Sequence, residues 1–219
     1  MGVEVNSIAW MRQVLYTAVV ADVLDALGRR EQVVSGPWQR TSGAGLLVGR
    51  AKTTLWEEIT EHDPRPYELE LQAVDACHPD DVLVAAAGGS PRSGIWGELL
   101  STAAANRGCA GALVDGAVRD TAQMNGMGFL TFARGTCPRD SLHRQRVTAV
   151  DVSVSIGGVG IEPGDLIFAD ADGVVVVPRA VEQAALAQAW DKVTAENRVR
   201  EEIRAGASAV EVFRKYGVL

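Results

Sequence analysis

The most informative part of the sequence is Gly97-Glu98-Leu99-Leu100, which is followed after a gap of twenty residues from Glu98 by Arg119-Asp120. The residues between them predict an alanine-rich helix over 99–107 and a short apolar strand over 110–114. If the strand and helix pack against each other, Arg119 and Asp120 return to the N-terminus of that helix. One cation, two carboxylates and free backbone N–H groups then meet at a place that suits a small anionic substrate and a hard metal ion.

The rest of the chain mixes helical and strand patterns. Apolar periodicity and turn residues predict helices over 14–27, 67–76 and 179–205, with a capping box at Ser208 and Glu211 for a last short helix. Strands are predicted over 43–55, 82–87 (ended by Gly88-Gly89), 130–133 and 150–156, and over 166–169 and 174–177, joined by a turn. Helices at both chain ends with strands between them indicate an α/β sandwich with mixed sheets.

Composition narrows the possible functions. The chain has 219 residues, 47% hydrophobic and 22% charged, which fits one globular domain over 1–219. Its net charge of −7 argues against nucleic-acid binding, and its densest basic run, Arg139, Arg144 and Arg146, is interpreted as a solvated or subunit-facing loop. No apolar run is long enough to span a membrane, and residues 1–10 do not have the pattern of a signal peptide.

Cysteine and histidine usage argues against disulfide and zinc chemistry. Three cysteines form an odd set with no close pair in the sequence, which predicts a reduced, cytoplasmic protein. The three histidines are scattered and show no paired-ligand spacing, so a zinc site is not expected.

Arg119 and Asp120 can take different roles because adjacent residues on a strand or turn point in different directions. Aspartate is a hard oxygen ligand for Mg²⁺, and a guanidinium matches a planar carboxylate or enolate. The N–H groups of the first helical turn, near residues 98–100, could complete an oxyanion site. From the residues alone, a simpler alternative stays open. Arg119 and Asp120 would form a structural ion pair at a turn, and Glu98 would be an acid at the helix N-terminus, where the helix dipole stabilises negative charge.

A resemblance to a known family favours the chemical alternative. Residues 96–104 (WGELLSTAA) and 111–120 (GALVDGAVRD) closely resemble the RraA-like family, which includes 4-hydroxy-4-methyl-2-oxoglutarate/4-carboxy-4-hydroxy-2-oxoadipate aldolases. The similarity extends over nearly the whole chain, through 22–28 (DVLDALG), 128–129 (GF), 132–135 (FARG), 163–165 (PGD) and 170–174 (DADGV). It implies an α/β/β/α sandwich of the swivelling-domain-like type and homotrimers or dimers of trimers. It also implies a C-terminal helical extension over 179–219 that packs on a neighbouring subunit.

The resemblance implies a role for each matching residue. Asp120 would be the direct protein ligand of a divalent metal, Mg²⁺ or Mn²⁺, and Arg119 would bind the pyruvyl part of the substrate and stabilise its enolate. Glu98 would hold metal-bound water, and the backbone around Gly97, Leu99 and Leu100 would bind the pyruvyl carboxylate. Glu196 is expected to reach the neighbouring subunit's site as a base acting through water. Glu201 and Glu202 are the fallback candidates for that role.

Two departures from the family pattern bear on metal affinity and on substrate choice. Glu98 stands where the family commonly has the shorter aspartate, and Gln123 stands where the family often has an acid. The loops over 88–96 and 137–146 are expected to face the distal end of the substrate.

The function implied is that of a metal-dependent pyruvate aldolase acting on 4-hydroxy-2-oxo acids, with oxaloacetate decarboxylation as a second activity. The alternative is a non-catalytic regulator that binds a ribonuclease, since some relatives are described as inhibitors of RNase E. A Schiff-base aldolase would need a desolvated lysine, and the chain has only Lys52, Lys192 and Lys215. A methyltransferase is disfavoured because Gly88-Gly89-Ser90 lacks the glycine-rich dinucleotide form.

Overall fold

An eight-stranded mixed sheet forms the frame of the fold in the computed structural model, which describes residues 7–218. The strands are β1 Gln39–Ser42, β2 Leu47–Glu58, β3 Asp81–Trp96, β4 Gly111–Val118, β5 Leu130–Thr136, β6 Gln145–Val150, β7 Val154–Ile156, β8 Val159–Ile161, β9 Leu166–Ala169 and β10 Val174–Val177. The order in the large sheet is β1-β5-β4-β3-β2-β9-β10, and β6 pairs with β2 outside that path. The central strands β2 to β5 are parallel, whereas β1, β6, β9 and β10 join antiparallel. A separate two-stranded sheet consists of β7 and β8.

Seven helices cover the sheet within the described part of the chain. They are α1 Ile8–Val14, α2 Thr17–Ala26, α3 Glu68–Asp75, α4 Glu98–Asn106, α5 Thr121–Met127, α6 Glu182–Arg204 and α7 Ala209–Tyr216. Each of the three longest predicted helices is present, with its ends shifted by a few residues. The first predicted helix, over 14–27, is shorter than expected, because Leu15 and Tyr16 are extended and separate α1 from α2.

Three buried clusters show how the layers pack. An inner core joins β3, β4 and β5 to β9, β10 and the β7–β8 pair, so the curled sheet packs partly against itself. A second cluster lies under α1, α2 and α6, and a third lies under α3, α4 and α5. Helices therefore cover two outer faces of a sheet with an apolar interior, and the α/β class with a mixed sheet and helices at both ends is confirmed.

The prediction that Gly88-Gly89 ends a strand is wrong. Strand β3 spans sixteen residues, from Asp81 to Trp96, and the two glycines lie inside it with φ of 63° and 74°. The pairing of β3 with β4 shifts register between Ala86 and Ser90 and again near Gly94. Bulges of this kind bend a strand without ending it, so the segment expected to be a loop is a bent continuation of the strand that leads directly to α4.

The prediction of one strand over 150–156 is also wrong. The segment is divided at Asp151, which has φ of 55°, so β6 ends at Val150 and Val154 begins β7 in the other sheet. The Asp151 carboxylate pairs with Lys52 at 2.7 Å, which fixes this corner. The capping box at Ser208 does not form: α7 begins at Ala209 as expected, but the Ser208 side chain makes no cap hydrogen bond.

Folding brings together side chains that are distant in the sequence. The Cys77 thiol lies against that of Cys109, and this contact together with burial raises the pKa of Cys77. The rings of His62 and His143 lie 4.1 Å apart between centroids.

None of the helices formed by residues 7–218 has the length and hydropathy needed to cross a bilayer. The prediction about a signal peptide concerns residues 1–10, of which the first six lie outside the described residues.

Candidate active site

Strand pairing places the end of β4 beside the start of α4. Trp96 is the register partner of Val118 in the parallel pairing of β3 with β4. One residue further, the backbone N–H of Arg119 donates to the carbonyl of Trp96 at 2.8 Å. Parallel neighbours end at the same edge of a sheet, so Arg119 and Asp120 lie where α4 begins.

Asp120 has a left-handed backbone conformation, and its carboxylate does not cap the helix that it precedes. Its φ is 56°, in the left-handed region that non-glycine residues seldom occupy. It is the N-cap residue of α5, where an aspartate normally accepts a bond from its own helix, yet its carboxylate makes no such bond. Instead Oδ2 accepts from the backbone N–H of Glu98 at 3.3 Å. The carboxylate is thus held at the N-terminus of α4, where the helix dipole stabilises negative charge.

Gly97 allows this close approach. A Cβ at this position would lie 2.6 Å from Oδ2 of Asp120 and 3.0 Å from Cγ of Arg119. Any side chain here would therefore displace the carboxylate or the arginine, because the shorter distance is well below van der Waals contact.

Arg119 lies between two carboxylates. Its Nη1 is 3.0 Å from Oδ2 of Asp140, and its Nε is 3.6 Å from Oδ2 of Asp120. Asp140 also accepts from the hydroxyl of Tyr67 and from the backbone N–H of Leu142, both at 2.9 Å. Burial alone would raise the pKa of Asp140, but these two donors and Arg119 lower it overall, so Asp140 is an anion at neutral pH.

A cleft of about 280 Å³ opens in front of this cluster. It is lined by Tyr67, Glu70, Leu71, Gly94, Ile95, Trp96, Gly97, Leu99, Leu100, Arg119, Asp120, Asp140 and Ser141. Leu99 is 75% exposed at its edge. The first-turn N–H groups of Leu99 and Leu100 have no carbonyl within the helix to bond, so they remain available to an anion in the cleft.

Glu98 belongs to this end of α4, although it is not among the lining residues. Its backbone N–H bonds Asp120, whereas its carboxylate accepts from the Thr102 hydroxyl one turn along the helix at 2.9 Å. Compared with aspartate, the longer side chain can follow the helix surface to reach that hydroxyl.

Glu70 is the most perturbed acid of the cleft. It is 8% exposed, and burial together with the nearby negative charge of Asp140 raises its pKa to about 8, against a smaller opposing effect of Arg119. Tyr67 precedes α3 with φ of 66°, and burial and its bond to Asp140 raise its pKa to about 12. The cleft therefore contains protonated and ionised oxygen groups side by side at neutral pH.

The donor set fits a divalent ion that keeps most of its water. Among residues 7–218, no three His, Cys, Asp or Glu side chains converge to enclose a metal. The Asp120 carboxylate is 40% exposed and supplies hard oxygen atoms on the cleft wall. Mg²⁺ is commonly held by one or two carboxylates and several waters, so Asp120 could hold it directly and Glu98 could bind one of those waters.

Glu196 does not join this cluster within one chain. It lies on α6, where it accepts a short hydrogen bond from the Tyr16 hydroxyl, and its side chain is 15% exposed. The fallback candidates are used elsewhere: Glu201 pairs with Arg204 at 2.7 Å, and Glu202 pairs with Lys215 at 2.6 Å.

The three lysines that a Schiff-base aldolase could use lie outside the cleft. Lys52, Lys192 and Lys215 all form ion pairs, at 2.6 to 2.7 Å, with Asp151, Asp22 and Glu202 respectively. A Schiff-base lysine must be neutral and facing substrate, and ion-paired ammonium groups away from the cleft do not meet that requirement. Gln123 is exposed on α5 and is not among the cleft residues.

Three titratable cleft residues were not named individually from the sequence: Tyr67, Glu70 and Asp140, although Asp140 lies in the segment 137–146 that was expected to face the substrate. One signal was available for Glu70, because it shares the buried stripe of α3 with Ala73 and Val74 at helical spacing. A glutamate at an apolar position of a helix is uncommon enough to indicate a function. No comparable local signal marks Tyr67 or Asp140, which meet only through the tertiary fold.

The fold is that of an α/β protein with a curled mixed sheet, and an arginine, an aspartate and a helix N-terminus meet at one edge of that sheet. The family described as RraA-like, Aldolase/RraA, matches residues 17–176. The chain belongs to this family.

Individual relatives agree with that assignment. A protein of Halalkalibacterium halodurans named "Putative 4-hydroxy-4-methyl-2-oxoglutarate aldolase" is 38% identical over 200 residues, covering 91% of this chain and 89% of its own. The crystal structure of Streptomyces coelicolor RraAS2, described as an unusual member of the RNase ES inhibitor RraA protein family, has a TM-score of 0.78 and 30% identity, and covers 91% and 99%. A Geobacillus kaustophilus structure described as a dimethylmenaquinone methyltransferase has a TM-score of 0.61 and 34% identity, and covers 72% and 92%.

Proposed function

We propose that this protein is a divalent-metal-dependent pyruvate aldolase that cleaves 4-hydroxy-2-oxo acids, such as 4-hydroxy-4-methyl-2-oxoglutarate, to pyruvate. The observation that carries the proposal is the diversion of the Asp120 carboxylate from its own helix to the N-terminus of α4, beside Arg119. A structural ion pair would not require an aspartate in the left-handed region or a glycine at 97 to make room for it. The aldolase name of the relative from Halalkalibacterium halodurans supports the same conclusion.

The residues divide the work of binding and charge stabilisation. Arg119 and the N–H groups of Leu99 and Leu100 bind the carboxylate end of the 2-oxo acid and stabilise negative charge as the carbon–carbon bond breaks. Asp120 would hold Mg²⁺ or Mn²⁺ and Glu98 would bind water of that ion, which would supply Lewis-acid chemistry for the 2-oxo group. The same charge stabilisation would allow oxaloacetate decarboxylation.

The base for the distal hydroxyl is proposed to come from Glu196 of a neighbouring subunit in a homotrimer or a dimer of trimers. In one chain Glu196 lies on α6 and is held by the hydroxyl of Tyr16, away from the cleft residues. It follows Val193, the last residue of α6 in the cluster shared with α1 and α2, and this position in the second half of the helix is compatible with a role across a subunit boundary.

The deciding experiment measures pyruvate release from a panel of 4-hydroxy-2-oxo acids and oxaloacetate, with Mg²⁺ and with EDTA. Asp120→Ala is expected to abolish metal-dependent release, and Arg119→Ala to lower kcat by about 100- to 1,000-fold, the cost of losing a group that stabilises developing charge. Asp80→Ala is a matched control, since Asp80 also has a positive φ, of 67°, and pairs with an arginine on another surface.

Two results would overturn the proposal. Release that is insensitive to EDTA, with a covalent adduct trapped by borohydride, would indicate Schiff-base chemistry. No release from any substrate, combined with binding to a ribonuclease, would favour the regulatory alternative, which is raised by the description of Streptomyces coelicolor RraAS2 as a member of an RNase ES inhibitor family.

A further inference from the structure

Glu70 is a largely buried side chain on the wall of the candidate active site. It is 8% exposed and lines the cleft that holds Arg119 and Asp120. None of the hydrogen bonds or ion pairs formed within residues 7–218 engages its carboxyl group. Glu68, two residues earlier on the same helix, shows the ordinary alternative, since it is half-exposed and pairs with Arg65 at 3.2 Å. The carboxyl oxygens of Glu70 are not fully enclosed, so a ligand in the cleft can reach them.

Charged groups of the cleft act on Glu70. The groups that perturb its pKa are Asp140 and Arg119, and both of them line the cleft. Glu70 also lines a neighbouring groove, which contains Asp63 and Arg146. Arg146 is occupied there by Glu57 at 2.8 Å and does not perturb Glu70.

Glu70 differs from the other oxygen acids of the cleft by holding a proton it can give. Burial and Asp140 raise its pKa to about 8, so at neutral pH it is mainly a carboxylic acid. Asp140 is ionised, and the Tyr67 hydroxyl is committed to Asp140 with its pKa raised to about 12. A general acid is most effective when its pKa lies near the working pH, as that of Glu70 does.

We propose that Glu70 is the catalytic acid that protonates C3 of the pyruvate enolate, a role that rests on the proposed aldolase function. In this step the O–H bond of Glu70 breaks, and the enolate electron pair forms a new C–H bond at C3. The enolate oxygen becomes the keto oxygen of pyruvate, and Glu70 remains as a carboxylate. The proton that the base takes from the distal hydroxyl passes to solvent, and solvent returns one proton to Glu70, so the protons balance and no oxidant or reductant is required.

The test separates protonation from bond cleavage by following exchange of the C3 protons of pyruvate in D₂O by NMR, since exchange runs the same proton transfer in both directions. Glu70→Gln keeps the shape of the side chain but can neither give nor take this proton. It is expected to lower the exchange rate by about 100-fold or more, the usual contribution of a positioned acid, with little change in KM. Glu70→Asp is expected to restore part of the rate. Glu68→Gln is the matched control on the same helix and should exchange at the wild-type rate.

Two further measurements need no comparison of variant rates. Exchange begins when ionised Glu70 removes a C3 proton, so wild-type exchange should rise with pH and level off above about 8, where Glu70 has lost its proton. The metal-free protein at pH 7 should show an infrared carbonyl band of a protonated carboxylic acid that Glu70→Gln removes, which reports on Glu70 independently of turnover.

The outcomes distinguish this proposal from the proposed function. If the wild-type protein neither releases nor exchanges pyruvate, the aldolase function fails and the role of Glu70 fails with it. If the wild-type protein does both and Glu70→Gln exchanges at the wild-type rate, only the role of Glu70 is overturned. Should Glu70→Gln fail to fold, a wild-type exchange rate that does not change with pH around 8 would by itself refute the proposal.

Discussion

Glu70→Gln is expected to make the stability of the protein less dependent on pH. At low pH, Glu70 is protonated in both the folded and the unfolded chain, so it contributes no pH dependence. As pH rises past 4.5 the unfolded chain releases this proton, whereas the folded protein retains it until about pH 8 because the carboxyl group is buried beside Asp140. The unfolded state therefore binds fewer protons over this window, and the free energy of unfolding falls as pH rises.

The size of the effect follows from the two pKa values. One tenfold change in proton affinity corresponds to about 1.4 kcal/mol. The rise from 4.5 to about 8 then implies that wild-type protein loses about 5 kcal/mol of stability between pH 4 and pH 9 through this one group. Domains of ordinary stability unfold with about 5–15 kcal/mol, so the effect is large enough to be measured directly.

Equilibrium urea unfolding at several pH values between 5 and 9 measures this difference. One protein concentration is kept throughout, because the apparent stability of the proposed homotrimer or dimer of trimers would depend on it. The gap between Glu70→Gln and wild type should widen in favour of the variant as pH rises, whereas Glu68→Gln should stay parallel to wild type. Parallel curves for Glu70→Gln and wild type would refute the inference that Glu70 is buried with its proton.

Two further substitutions test the packing around the site and elsewhere in the sheet. Gly97→Ala places a Cβ 2.6 Å from the carboxylate of the proposed metal ligand, so pyruvate release should fall sharply with little change in melting temperature. Gly126→Ala, where a Cβ meets no atom within 4 Å, is the control. Arg134→Met should destabilise the protein by about 3–5 kcal/mol in urea unfolding, because it leaves the carboxylate of Asp115, which is 4% exposed, without its partner at 2.7 Å. Arg107→Met, in an exposed pair, should cost about 0–1 kcal/mol, and equal losses for the two arginines would contradict this reasoning.

The sequence allowed the neighbourhood of Arg119 and α4 to be predicted because that arrangement depends on local rules. A helix that ends at a glycine and leads into an apolar strand returns the chain beside the start of the helix, and the backbone bond between Arg119 and Trp96 completes the turn. The course of β3 could not be predicted in the same way. Two consecutive glycines are typical of a turn that ends a strand, and Gly88 and Gly89 both have positive φ. Only the pairing of β3 with β4 keeps this segment in the sheet through the bulges.

The acidic side of the cleft depends on contacts that no local pattern encodes. Tyr67 and Glu70 come from the start of α3, whereas Asp140 comes from the segment between β5 and β6, seventy-three residues beyond Tyr67. These segments meet because α3 packs beside β6 and because the backbone of Gly94 bridges to Asp140 across the end of β3. The acidic side of the cleft is therefore specified by sheet topology, and its chemistry could not be predicted from local patterns.

The contact between Arg119 and Asp140 orients the arginine without preventing it from binding a substrate. A guanidinium has five N–H donors, and Asp140 lies against Nη1 alone. Asp140 is in turn fixed by Tyr67 and the backbone of Leu142, so it does not need to move when an anion enters. The contact with Asp140 fixes the orientation of the guanidinium, and its remaining N–H groups can donate to a planar carboxylate. Preorganised donors lose little entropy on binding, and this is the property that a site for developing negative charge requires.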